Sequence, residues 1–302
     1  MQLRKASRKK AKIRLGLSSV SGGGKTVSAL LIAYGMTGDW NKIAVVDTES
    51  ESADLYANHK LPTGFTIGEF QVCPLSAPFT PERYCEAIRM CENEGVEVII
   101  VDSITHEWDG KGGCLEIVDQ LTQASTHKNS YIAWGKVTPR HQAFIESLLQ
   151  SKCHIITTVR RKQDYEMTKG NDGKIKVEKA GLKEITREGF EYELTVNLEL
   201  DHGHFATASK DRSGLFSGKP EFIPSVDTGK MISDWCESGA DTSIEISEAI
   251  QKLRNCGTVE DLKMFKETLP IYVANSDEFK KAGKERMNQI INSQKPENAT
   301  AN

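Results

Sequence analysis

KIRLGLSSVSGGGKTVSALLIA, residues 12 to 33, is the stretch from which the rest of this chain can be read. Its apolar run Ile13 to Leu17 predicts a buried strand, Ser18 to Gly24 a tight turn, and Lys25 to Tyr34 a helix. Strand, turn and helix in that order make a cradle for phosphate. Gly22, Gly23 and Gly24 let the backbone approach phosphate oxygens, and the amides of Ser21 to Val27 meet a helix N-terminus whose dipole favours an anion. Lys25 is placed to reach the β and γ phosphates, and the Thr26 hydroxyl to ligate Mg²⁺. The pattern G-x-x-x-x-G-K-[ST] asks for Gly where this chain has Ser19; the Gly24-Lys25-Thr26 core is intact.

Composition bounds the setting. A chain of 302 residues suggests two domains and can bury a sizeable core. At 38% hydrophobic, with no apolar run near the ~20 residues of a membrane span, it reads as a globular protein without a membrane partner, cytoplasmic by default. The start, MQLRKASRKKAK, is basic and lacks the apolar segment of a secretory signal, so residues 1–11 are expected to form a flexible head. Seven Cys include no C-x-x-C pair and no His stands at metal-ligand spacing, which argues against a disulfide frame or a zinc site. A net charge of -3 gives no global pull toward nucleic acid; local patches would have to supply it.

Along the chain, KIAVVD (42 to 47) predicts a second strand, followed by a helical stretch to Asn58 and a strand before Gln71. Thr80-Pro81-Glu82 starts a helix running to Asn93. VEVIIVDS (96 to 103) is the β-branched run of a strand buried on both faces. Glycines 110, 112 and 113 mark a loop, with a helical piece around Leu115 to Leu121; Thr138 and Pro139 open a further helix to Gln150, and CHIITTV (153 to 159) is another buried strand. This alternation predicts an α/β fold with a mostly parallel sheet and helices on both faces. Residues 160 to 187 read as an exposed hairpin or loop around N-D-G, and 191 to 200 and 204 to 209 as antiparallel edge strands. The core is expected over 12–238, a helical appendage over 243–292 (capping box at Thr242 to Glu245, Gly257 as a stop, new starts at Thr258 and Ser276), and a disordered tail over 293–302.

The strand ending in Asp102 supplies a carboxylate for the Mg²⁺ shell. Many P-loop ATPases carry Glu directly after this Asp; here Ser103 stands there, so the base must come from elsewhere. Asp47-Thr48-Glu49, at the end of the neighbouring strand, offers it, because ligands of parallel sheets sit at the carboxyl ends of strands. At this point the chain resembles the RecA-type ATPases. The resemblance rests on GGGKT, VVDTES, IIVDSITHEW, AWGKVTPRH and SKDRSGLF, and covers residues 12 to 238. It implies that Glu49, with Glu51 as runner-up, orients the attacking water, and that Thr158 (where relatives carry Gln) and Arg160 sense the γ-phosphate. K-D-R-S-G also fits a surface turn. As the family's K-x-R-x-G element it implies that Lys210 and Arg212 reach a neighbouring subunit's γ-phosphate, so that a homo-oligomer holds ATP and Mg²⁺ between subunits.

Residues 12 to 238 as a whole resemble the phage-encoded RecA-like ATP-binding proteins, including the Sak-type single-strand annealing ATPases. The resemblance implies single-stranded DNA as a partner, lined by loop 161–187 and by 104–135, and a single-strand-binding protein as a helper. Loop 161–187 carries eight Lys or Arg and one ring, Tyr165, a composition suited to single strands, although interleaved acids leave only a modest excess. Two other functions stay open: a nucleotide switch that recruits proteins through its helical appendage, and, fitting poorly, a small-molecule kinase.

Overall fold

The run read as a buried strand is β1 (Arg14–Ser19), and every residue in it is buried. The computed structural model describes residues 8–126, 128–169, 175–239, 242–269 and 271–293. α1 (Lys25–Thr37) begins at Gly24, in the left-handed region with no side-chain cap, and stops at Gly38, also left-handed. β2 (Ile43–Asp47) follows. The helix expected before Asn58 is a single 3-10 turn, Ala53–Tyr56, and the strand expected before Gln71 is β3 (Gln71–Pro74), after it. That edge strand is only half buried, so its apolar signal is weak.

α2 (Pro81–Asn93) is capped by Thr80 with Pro at the first turn, and β4 (Val98–Asp102) is buried throughout. Beyond it lie α3 (Thr105–Asp109) and α4 (Cys114–Ala124). α5 spans Ser130–Gln150, with Pro139 inside it rather than at its start. Proline removes one helical hydrogen bond and usually ends or kinks a helix. Here Ala133 and Val137 before it, and His141, Phe144 and Leu148 after it, bury one continuous stripe that holds the helix together.

β5 (His154–Lys169) runs far past its predicted end, pairing antiparallel with β6 (Ile175–Glu184) as the expected hairpin. Its turn lies outside the described residues, as do residues 1–7 of the head and nearly all of the tail. α6 (Phe190–Glu193) is one helical turn where a strand was expected. β7 (Val196–Leu200) lies parallel to β1, and only β8 (Ala206–Asp211) is antiparallel, which corrects the reading of both as antiparallel edges. α7 (Val226–Glu237) went unread in the sequence.

The sheet has eight strands in the order β3-β2-β4-β5-β1-β7-β8, with β6 paired to β5. Alternate residues of the strands face two cores. Leu15, Val45, Ile100 and Ile156 meet Leu30 and Ile32 of α1 and Ile232 of α7. Val46, Ile99 and Val101 meet Tyr84 and Ile88 of α2 and Phe144 of α5. The four central parallel strands end together, so Ser19, Asp47, Asp102 and the residues around Thr158 share one edge.

Lys12–Cys236 forms one unit, and the described residues of Met1–Ala11 and Glu237–Asn302 form another. The second contains α8 (Thr242–Arg254), α9 (Val259–Thr268), α10 (Ile271–Asn275) and α11 (Asp277–Ser293) around a core of Leu253, Leu262, Val273 and Phe279. A capping box at Thr258 and Asp261 opens α9 where the sequence placed a helix start. In this unit Lys10 of the head pairs with Glu237 at 2.8 Å. No helix among the described residues is long and apolar enough to cross a membrane.

Candidate nucleotide site

The cradle closes between β1 and α1. Ser19 is fully buried, and its hydroxyl has no hydrogen-bond partner. Its side chain occupies the space beneath Gly23: a Cβ there would stand 1.8 Å from Ser19 Oγ. The residue that departs from the sequence pattern thus fills volume that the neighbouring glycine vacates. Lys25 Nζ donates to the carbonyls of Val20 at 3.0 Å and Ser19 at 3.4 Å, and burial holds its ammonium below the usual lysine range. An uncapped helix start and a buried lysine that donates to loop carbonyls are what a phosphate site requires of a chain.

Asp102 gathers two strands and the cradle. Its Oδ2 accepts from the Thr26 hydroxyl and its Oδ1 from the Thr158 hydroxyl, each at 2.5 Å. Burial raises the Asp102 carboxyl, against those two hydrogen bonds. A hard divalent cation suits such an oxygen pair, a hydroxyl and a carboxylate side by side. The Asp102–Ser103 peptide is cis. Ser103 is itself fully buried with an unpartnered hydroxyl, so the position where relatives place a base holds none here.

Glu49 stands beside this pair. Asp47 shapes its turn by accepting from the Glu49 amide at 2.7 Å and the Ala53 amide at 3.1 Å. Arg160 grips the Glu49 carboxylate with two nitrogens, at 2.9 and 2.8 Å. Burial pushes Glu49 up, but the Arg160 hydrogen bond and charge, with His106 and Lys25, outweigh it and hold the group below the usual carboxylate range. Glu51 is exposed on the turn beyond, left-handed at φ 64°. The ends of β1, β2, β4 and β5 therefore bring together Lys25, Thr26, Glu49, Asp102, Thr158 and Arg160.

Lys210 and Arg212 are not with them. Asp211 pairs with Val196, which pairs with Leu15, so these cations lie at the amino ends of β1 and β7, the far end of the sheet from the cradle. Lys210 donates to the carbonyls of Glu191 (2.9 Å) and Tyr192, and Arg212 to that of Tyr192 at 2.9 Å.

Two arrangements escaped the sequence reading. His204, left-handed at φ 66°, comes from the β7–β8 turn and lies so close to the cradle that a Cβ on Gly24 would be 2.5 Å from its Nδ1. Glu107, Cys114 and His141, from three different helices, meet with their ligand atoms within 4.8 Å of one another, all buried. The thiol and the imidazole both hydrogen-bond to Glu107 at 3.0 Å, and burial and the Glu107 charge push the Cys114 thiol up. The cluster satisfies itself and ties α3, α4 and α5 together behind β4.

Residues 11–223 match a family described as AAA domain. The chain belongs to that AAA domain family. No curated protein matches the chain. Membership in the AAA domain family, with the cradle in place, makes this an ATPase-type P-loop domain, which binds nucleotide and commonly uses Mg²⁺.

Proposed function

We propose that this AAA domain is a RecA-like, DNA-dependent ATPase that works as an oligomer on single-stranded DNA in annealing or strand pairing, as the Sak-type phage proteins do. The observation that carries the hydrolytic part is the convergence of the Thr26–Asp102–Thr158 hydrogen bonds and the Glu49–Arg160 pair on one sheet edge. Thr26 and Asp102 would hold Mg²⁺, which supplies charge neutralisation at the β and γ phosphates. Lys25 exchanges its loop carbonyls for phosphate oxygens. Glu49, kept ionised by Arg160, is the acceptor for a proton of the attacking water. A γ-phosphate competes for Arg160, so loosening of the Glu49 pair would couple substrate arrival to release of the base.

The DNA part is supported by the hairpin. Lys162 and Lys183 stand directly opposite each other on β5 and β6, both exposed, a like-charge pair that costs stability unless an anion lies across it. Arg161 is engaged with Glu199 at 2.7 Å, so a phosphate would have to compete for it. Steady-state ATPase with and without a single-stranded oligonucleotide, at low and moderate salt, tests the proposal. A several-fold, salt-sensitive stimulation that Lys162→Ala/Lys183→Ala removes is expected. An unchanged rate with no DNA retention would overturn the DNA part and leave a nucleotide switch.

A further inference from the structure

The C-terminal helices hold an apolar groove that nucleotide chemistry does not use. Leu253 of α8, Leu262 of α9, and Phe279 and Met287 of α11 line it, enclosing about 280 Å³. That is close to the ~300 Å³ lower end of small-molecule sites, and is room for one or two apolar side chains. Lys263 and Lys266 on α9 and Lys280 and Lys284 on α11 complete the lining, and no acidic residue belongs to it. Spacings of three and four residues bring each lysine pair to one helix face. All four lysines are exposed, and among the described residues none forms an ion pair.

A single-sign rim around an apolar floor selects its occupant by charge. Four ammonium groups repel one another, and they repel the basic residues of the chain's own head. A nucleic acid would satisfy the charge but not the floor: the one ring in the lining, Phe279, is buried at 2% exposure and offers no stacking surface. An acidic segment with an aliphatic or aromatic anchor satisfies both. We propose that this groove docks a short acidic peptide segment of a partner protein, its anchor in the cavity beside the exposed Met287 and its carboxylates on the four lysines.

Fluorescence anisotropy on the full-length chain tests this with a fluorescein-labelled ten-residue probe of Asp and Glu around a central Phe-Leu pair. Two controls accompany it: the same peptide with Ala-Ala at the centre, and an unlabelled oligothymidine competitor. The Ala-Ala peptide and the Lys263→Glu/Lys280→Glu protein should each bind at least about tenfold more weakly, as expected when an anchor or its charge partners are lost. A second variant, Gly283→Leu, keeps every lysine. Gly283 lines the groove and a Cβ on it meets only Leu253 Cδ1, at an ordinary 3.8 Å, so the added side chain should fill the groove and block the probe. Circular dichroism and the thermal midpoint confirm that the variants fold. Absence of probe binding to the unaltered chain overturns the proposal, as does equal affinity for the Ala-Ala peptide. Displacement of the probe by oligothymidine at the same lysines would make the rim a nucleic-acid contact and overturn it as well.

Discussion

Ser19 and Gly23 form a complementary pair: the side chain missing at one position is supplied at the other, with a Cβ on Gly23 falling 1.8 Å from Ser19 Oγ. Gly23→Ala alone should distort the cradle, costing the ~1–3 kcal/mol of overpacking and most nucleotide affinity. Ser19→Gly removes the obstructing hydroxymethyl and restores the G-x-x-x-x-G-K-T pattern, so the double variant should recover affinity that the single one loses. Titration with a fluorescent ATP analogue decides this; a double variant as weak as Gly23→Ala would show that the space is not shared. At Glu49, replacement by Gln keeps the size and removes the proton acceptor. Expected is retained nucleotide binding with turnover reduced ~10²–10⁴-fold, the range for loss of a general base. Normal turnover in Glu49→Gln would move the base to another residue. Glu49 was readable in the sequence because it follows an apolar strand ending in Asp47, whereas its partner in space was not. Which cation grips it depends on β5 lying two strands away, beyond β4. His204 was unreadable for the same reason: nothing in D-H-G-H says that the turn folds over Gly24.

At the scale of elements, local signals decided where the chain turns, and burial decided how far elements run. Thr80 and Pro81 placed the start of α2, and Thr258 with Asp261 that of α9, because caps are chemistry between residues three apart. Pro139 misled for the opposite reason, since a buried stripe on both sides of it overrides a local breaker. α7 carries an apolar stripe, Met231, Ile232, Trp235 and Cys236, and at its first turn it meets α1 through glycine. Gly35 of α1 and Gly229 of α7 face each other so closely that a Cβ on Gly229 would stand 2.1 Å from the Ile32 carbonyl oxygen, and one on Gly35 2.0 Å from that of Val226. Backbone cannot step aside as a flexible side chain can. Gly229→Ala should therefore destabilise the domain by ~1–3 kcal/mol despite the better helix propensity of alanine. A thermal midpoint several degrees lower is expected, and an unchanged or raised midpoint would show that α1 and α7 can separate without cost.

At the scale of the whole molecule, the sheet separates two sets of cations. Lys25 and Arg160 lie at its carboxyl edge with Glu49 and Asp102, while Lys210 and Arg212 lie at the opposite end on the carbonyls of Glu191 and Tyr192. No rearrangement short of unfolding the sheet brings Arg212 to its own cradle. Any direct contact it made with a γ-phosphate would therefore have to be with that of another copy, across a head-to-tail interface of the kind that closes rings or extends filaments. This gives a mixing experiment. Lys25→Ala has a dead cradle and an intact finger; Arg212→Ala has the reverse. In a random 1:1 mixture about a quarter of head-to-tail interfaces join an intact cradle to an intact finger, so activity should rise to about a quarter of the unaltered protein's, from nearly none in either variant alone. Arg212→Ala should keep its nucleotide affinity when dilute, since the finger contributes nothing within one chain. Recovery that grows with protein concentration would support transfer between subunits. If Arg212→Ala alone turns over normally, the finger has no catalytic part. If it is inactive and mixing restores nothing, its role lies in holding α6 against β8, where Lys210 and Arg212 already bind the Tyr192 carbonyl.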